Sequence, residues 1–119
     1  MGDSVSNYVD FIPWLTEAGV DEETLDEKVI FISQPYPNPF MDRTQIEYNL
    51  PKISNVNIAI YNVLGARVIT LLNKRQNAGR YTITWNGNDE RGNELPSGFY
   101  FLRLEAGEYK GSRKLLLIR

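Results

Sequence analysis

Thr44-Gln45-Ile46-Glu47-Tyr48-Asn49-Leu50-Pro51-Lys52-Ile53-Ser54-Asn55-Val56-Asn57-Ile58-Ala59-Ile60-Tyr61 is the stretch whose reading decides the fold. Apolar and polar residues alternate through it twice. Ile46, Tyr48 and Leu50 share one face of the first run, and Val56, Ile58 and Ile60 share one face of the second. A period of two is that of a half-buried β-strand. Pro51 has no N–H to give to a ladder, so it ends the first run. The same grammar extends outward. Asn62-Val63-Leu64-Gly65 reads as a turn, and Ala66 to Leu72 as a strand carrying Val68, Ile69, Leu71 and Leu72. Asn77-Ala78-Gly79 breaks that strand. Tyr81-Thr82-Ile83-Thr84-Trp85 is aromatic and β-branched, with Tyr81, Ile83 and Trp85 on one side. Asn86 to Ser97 is rich in Gly, Asn, Asp and Pro and reads as a loop. Gly98 to Leu104 follows, with Tyr100, Leu102 and Leu104 aligned, then an Ala106-Gly107 turn and a last run from Tyr109 to Ile118. Upstream, Val29 to Ile32 supplies one more strand. About seven short strands punctuated by turns predict an all-β chain folded as an antiparallel β-sandwich. Helix is confined to two short turns, near Pro13-Trp14-Leu15-Thr16 and near Asp21 to Leu25.

Composition bounds what such a domain can do. With 119 residues there is room for one domain. The chain has no cysteine and no histidine. Disulfides, a thiolate nucleophile, Cys/His metal sites and every histidine-based triad are therefore excluded. No apolar run approaches the roughly 18 residues of a membrane span. The start, Met1-Gly2-Asp3-Ser4, lacks the basic flank and apolar stretch of a signal peptide, and the chain reads as a piece cut from a longer protein.

The net charge of −2 conceals an asymmetry. Residues 1–34 carry eight acids against Lys28, whereas residues 35–119 carry seven acids against twelve bases. Those bases are scattered singly apart from Lys74-Arg75 and Arg113-Lys114, which reads as a solvated surface and not a nucleic-acid footprint. Residues 1–28 break the strand period and form an acidic segment or linker. Within it, Val5, Tyr8, Val9, Phe11, Ile12, Trp14 and Leu15 are apolar enough to belong to something larger, or to a strap on the sandwich.

No constellation reads as catalytic, so no enzyme is expected. Asp89 and Glu90 are adjacent on a loop tip, where neighbouring side chains point apart, whereas glycosidic carboxylate pairs are held about 5–9 Å apart on a rigid site. Asn86, Asn88 and Glu90, with Asp89 and Glu94, form a sparse oxygen-bearing loop. Its spacing differs from the EF-hand form, so no metal or other cofactor is expected.

Three blocks carry the remaining information. Tyr36-Pro37-Asn38-Pro39-Phe40 brackets an asparagine with two prolines, Pro37 and Pro39, and makes a rigid corner after the first strand. Trp85-Asn86-Gly87 opens the long loop, and Leu95-Pro96-Ser97-Gly98-Phe99-Tyr100 closes it into an aromatic strand. Ser112-Arg113-Lys114-Leu115-Leu116-Leu117-Ile118-Arg119 is a strand flanked by bases at the end of the chain. By residue type Pro37, Asn38, Pro39, Gly65, Gly87 and Gly98 are expected to serve geometry, and Trp85 and Tyr100 the core.

Read in order, these blocks resemble the C-terminal sorting domain (type A) of the bacterial type IX secretion system. They are also similar to the immunoglobulin-like domain of flagellar hook-capping proteins. The resemblance rests on Tyr36 to Phe40, Leu50-Pro51, Tyr61-Asn62-Val63-Leu64-Gly65 with Arg67, Ala78-Gly79, Thr84 to Gly87, Leu95 to Tyr100 and Lys114 to Arg119. It covers residues 31–119. Two departures are Met41-Asp42-Arg43, where the sorting family often has Asn-Pro-Thr, and Ile118-Arg119, where many members end in lysine. Hook caps usually lack both the proline corner and the terminal basic strand. The stretch Val5 to Leu15 resembles the tail of secreted right-handed parallel β-helix proteins.

The resemblance implies an immunoglobulin-like antiparallel β-sandwich of about seven strands over residues 29–119. It also implies a non-catalytic secretion signal that directs a parent protein, catalytic or β-helical, through the periplasm to the cell surface or medium. The implied partners are the outer-membrane secretion and shuttle machinery and a sortase-like peptidase cutting between Asp21 and Gln34, with transfer of the parent to an anionic lipopolysaccharide. Arg113, Lys114, Leu115, Leu117 and Arg119 are the expected recognition residues, the strand being gripped by β-strand addition and its bases selected by charge. Two other readings stay open. One is a structural assembly module of hook-cap type. The other is a carbohydrate-binding accessory domain using exposed aromatics such as Trp14, Tyr36, Phe99 and Tyr109.

Overall fold

The computed structural model describes residues 30–119. The acidic segment 1–28, its two expected helical turns, Trp14 and the β-helix-like stretch lie outside the described residues. So does Val29, the first residue of the expected first strand.

The described residues form seven strands: β1 (Phe31–Ile32), β2 (Thr44–Leu50), β3 (Ser54–Tyr61), β4 (Arg67–Gln76), β5 (Gly79–Trp85), β6 (Gly98–Ala106) and β7 (Tyr109–Leu117). Two antiparallel sheets result, ordered β1-β2-β5 and β4-β3-β6-β7. This is an immunoglobulin-like sandwich in which the fourth strand pairs with the third, in the second sheet. The alternation in β2 is realised residue by residue: Ile46, Tyr48 and Leu50 are buried, while Gln45 and Glu47 are exposed. Facing them across the sandwich are Val56, Ile58 and Ile60 of β3, Leu102 and Leu104 of β6, and Leu115 and Leu117 of β7. Burying each of these aliphatic side chains contributes roughly 1.5–3 kcal/mol.

At one end of the sandwich the core is aromatic. Trp85 packs against Phe40, with ring centroids 5.6 Å apart, and edge-on against Tyr100 at 5.3 Å. The Trp85 indole N–H donates to the Asn88 carbonyl at 2.9 Å, so its polar edge is satisfied although the ring is buried. Tyr100 donates from its hydroxyl to the Pro96 carbonyl, four residues upstream, at 2.7 Å. That is the geometry of a tyrosine corner, and it pins the long loop to the strand that follows it. At the other end Tyr48 and Tyr81 stack at 5.5 Å, and the Tyr48 hydroxyl donates to Gln76 Oε1 at 2.6 Å. Burial pushes the hydroxyl pKa of both Tyr48 and Tyr100 upward.

β4 departs from the sequence expectation. It continues four residues beyond Leu72, to Gln76, and its pairing with β3 slips twice, between Ile58 and Ala59 and between Ile60 and Tyr61. Opposite those slips Leu71 and Val68 are the extra residues of β-bulges. Two residues then share what would be one position, which lets Val68, Ile69, Leu71 and Leu72 all reach half-burial. β1 is also shorter than expected, at two residues.

Candidate functional site

The proline corner and the C-terminal strand form one unit. The peptide bonds before Pro37 and Pro39 are both cis. The Thr44 hydroxyl holds the corner from below by donating to the Pro37 carbonyl at 2.7 Å. The corner then runs parallel to β7 along its outer edge. The Asn38 carboxamide donates to the Lys114 carbonyl at 3.0 Å and accepts from the Leu116 N–H at 2.9 Å. The Phe40 N–H donates to the Leu116 carbonyl and its carbonyl accepts from the Ile118 N–H, both at 2.9 Å. From Lys114 to Ile118, therefore, the edge expected to receive an added strand is already paired by the chain itself. An Asn38→Ala substitution removes both side-chain bonds. It is expected to cost about 1–2 kcal/mol, lower the melting temperature by about 5–10 °C, and expose the Leu116 amide to rapid hydrogen exchange. An unchanged Leu116 exchange rate would show that the carboxamide does not hold the edge.

The expected recognition residues are placed differently from one another. Leu115 and Leu117 are fully buried core residues. Arg113 bridges the two sheets: its guanidinium donates to the carbonyls of Ile32, Ser33 and Ser112. Arg119 closes the long loop, donating from Nε to the Leu95 carbonyl at 2.8 Å and from Nη2 to the Gly87 carbonyl at 2.7 Å, while its N–H donates to the Ser97 hydroxyl. Gly87 has φ +79°, and a Cβ there would sit 2.7 Å from the Arg119 guanidinium and 3.2 Å from Leu117, so backbone geometry and close approach both call for glycine. Lys114 differs. It is exposed, and its ammonium lies 4.8 Å from the centroid of the Phe99 ring.

The oxygen-bearing loop is turned inward on its own backbone. Asp89 accepts from the N–H groups of Arg91 and Asn93, and the Asn93 bond foremost holds its carboxyl below the usual range. Asn86 accepts from the Asn88 N–H, and Glu90 from the Thr70 N–H on β4. Among the described residues no group of three or more carboxylates converges as a metal site. Among the described residues the carbohydrate candidates do not form a row. Phe99 and Tyr109 sit at opposite ends of the β6–β7 ladder, and Tyr36 is bridged to Gln45 of the other sheet.

The sequence reading passed over the β3–β4 turn as a binding feature. Asn62 Oδ1 accepts from the N–H groups of Leu64 and Ala66, both at 3.0 Å, and Gly65 takes φ +84°. The turn is rigid, yet it carries the exposed Val63 and Leu64 at its tip. Two apolar residues inside a turn were the available signal.

A family model, the FlgD Ig-like domain, matches residues 41–110. The chain belongs to the FlgD Ig-like domain family. Among solved structures, FlgD from P. aeruginosa is 30% identical with a TM-score of 0.49, covering 63% of this chain and 58% of that one. Latent PorU from Porphyromonas gingivalis is 19% identical with a TM-score of 0.60, covering 76% of this chain. PorZ, a surface component of the type IX secretion system of the same organism, is 20% identical with a TM-score of 0.48, covering 80% of this chain. The chain spans 9% of PorU and 12% of PorZ. No curated protein matches. Both blocks that set the sorting pattern apart from the hook-cap pattern, residues 36–40 and the end of β7, lie outside the matched segment of this FlgD-type domain.

Proposed function

We propose that this FlgD-type domain is a non-catalytic sorting domain of the type IX secretion system, carrying a parent protein through the periplasm and across the outer membrane. One observation carries the reading. The proline corner and the basic C-terminal strand, the two blocks beyond the family match, are bonded to each other through Asn38 and Phe40. The pairing closes the edge of the last strand and joins into one unit the two blocks that the sorting pattern has and the hook-cap pattern lacks. The corner and the strand end form a composite surface that a receptor would read as one shape.

Within this reading the recognition contacts divide. Arg113, Leu115, Leu117 and Arg119 set the shape, and Lys114 offers charge to a partner. Removal of the domain by a sortase-like peptidase would occur before Phe31, because the Ile32 and Ser33 carbonyls are held by Arg113. No nucleic acid and no cofactor take part.

The test is export of a periplasm-directed fluorescent reporter fused to the whole chain, in a host with type IX machinery and in the same host lacking it. Reporter at the surface or in the medium only when the machinery is present is the expected result. Retention in the periplasm of both strains would leave a structural assembly module of hook-cap type, which sedimentation of the isolated chain would then report as self-association.

A further inference from the structure

The outer face of the four-stranded sheet carries an apolar patch at the end where the corner and the β3–β4 turn lie. Alternation along β6 and β7 sends Phe99, Phe101, Lys114 and Leu116 outward, opposite the buried Tyr100, Leu102, Leu115 and Leu117. Tyr61 is the cross-strand partner of Phe101, and the Val63-Leu64 tip rises beyond it. Leu64 is 88% exposed, Val63 67%, Phe99 45% and Ile118 44%. Exposed apolar groups gathered at one place mark an interaction site, whereas singly scattered ones do not. The bonds of Asn62 hold the tip in place before any partner arrives, so little ordering cost opposes binding.

Charge selects the occupant. On the strands of this face Arg67, Arg75, Arg103, Lys110 and Lys114 stand against one carboxylate, Glu105, which Arg103 already engages at 3.2 Å. A second copy of the chain would bring the same cations together across an isologous contact, which is repulsive. An anionic bilayer, broad and flat, would meet Asp42, Asp89, Glu90 and Glu94 in the adjoining loops together with the patch, whereas a protein can confine its acids to the footprint of the cations. An aromatic floor flanked by Arg67, Arg103 and Lys114 instead fits a folded protein surface.

We propose that this patch, centred on Leu64, Phe99 and Lys114, docks an acidic protein surface with an apolar centre in the outer-membrane translocation machinery. The inference rests on the sorting reading and names its contact. The partner meets the sheet face and the turn tip, while the β7 edge stays closed by the corner.

The test uses the whole-chain reporter fusion in the type IX host. Leu64→Asp and Phe99→Asp are compared with Thr82→Asp on the outer face of the other sheet. Lys114→Glu is compared with Lys114→Arg. Melting of each purified variant is recorded alongside, and Leu64, almost fully exposed, can be changed without disturbing the core. Expected are export of the wild type, Thr82→Asp and Lys114→Arg, and at least tenfold less export of Leu64→Asp, Phe99→Asp and Lys114→Glu with unchanged melts. Full export of Leu64→Asp, or of Lys114→Glu, overturns the inference while leaving the sorting reading intact. Failure of the wild type itself overturns both. Two further measurements identify the wrong occupant. Flotation of the wild type with phosphatidylglycerol–phosphatidylcholine vesicles, lost in Leu64→Asp, would assign the patch to a bilayer. A wild-type dimer dissociated by Leu64→Asp would assign it to a second copy.

Discussion

A chain lacking Lys114–Arg119 is expected to show no cooperative thermal transition. The deletion takes Leu115 and Leu117, both fully buried, out of the core. Truncating one such leucine to alanine costs about 2–5 kcal/mol, and here the backbone that would line the cavity leaves as well. A domain of this size is held by about 5–15 kcal/mol in total. The same deletion strips the partners from Asn38, from the Phe40 peptide groups and from the Gly87 and Leu95 carbonyls. The corner and the long loop therefore lose their fastening in one step. Circular dichroism melts of the full and trimmed chains check this. A trimmed chain melting cooperatively within about 5 °C of the full one, a shift worth about 1 kcal/mol, would mean that the end of β7 is not part of the core. The consequence for function is direct: loss of export after trimming reports unfolding, and recognition has to be probed with single exposed side chains such as Leu64 and Lys114.

Much of the fold was legible because its strands obey a local rule. The alternation in Thr44–Leu50 and Ser54–Tyr61 names the buried residues one by one, since a half-buried strand leaves no other way to place Ile46, Tyr48, Val56 and Ile58. Trp85 and Tyr100 follow from the same argument. β4 resisted it because apolar pairs at Val68-Ile69 and Leu71-Leu72 fit no single period. The bulges that accommodate them are set by the register of β3, a partner whose pairing the local sequence of β4 does not contain. In the oxygen-bearing loop Asn86, Asp89 and Glu90 accept from backbone N–H groups of the loop itself and of β4, and spacing alone does not announce the bond to β4.

The site was legible as a list of residues and illegible as an arrangement. Asn38 and Lys114 were both named from their motifs, yet their bond joins positions 76 residues apart, and nothing local to either motif announces it. Charge in the sequence is equally silent about arrangement. Arg113 and Arg119 look like surface bases flanking an apolar run, but each fills its donors with backbone carbonyls from distant segments. A guanidinium with a fork of donors is suited to that task, and a lysine is not. Lys114, whose ammonium stands over an exposed ring, is the member of the set left facing outward.

Trp85→Ala is expected to be the most damaging single substitution. It removes a buried indole that touches Phe40 from the corner and Tyr100 from β6, so one deletion loosens both ends of the C-terminal unit. Loss of a buried tryptophan costs about 3–5 kcal/mol, and each aromatic contact adds about 0.5–1.5 kcal/mol beyond area alone. With a urea dependence of about 2 kcal/mol per molar, the unfolding midpoint should fall by about 2 M. Trp85→Phe separates the contributions. It keeps an aromatic body but loses the indole donor, leaving the Asn88 carbonyl without its partner at the mouth of the long loop. That costs about 1–3 kcal/mol, so the midpoint of Trp85→Phe should lie between wild type and Trp85→Ala. Equal midpoints for the two variants would assign the whole effect to the lost hydrogen bond. A Trp85→Ala shift below about 0.5 M, equivalent to about 1 kcal/mol, would mean that Phe40 and Tyr100 close the gap, and the aromatic end would no longer explain how corner, loop and last strand are held together.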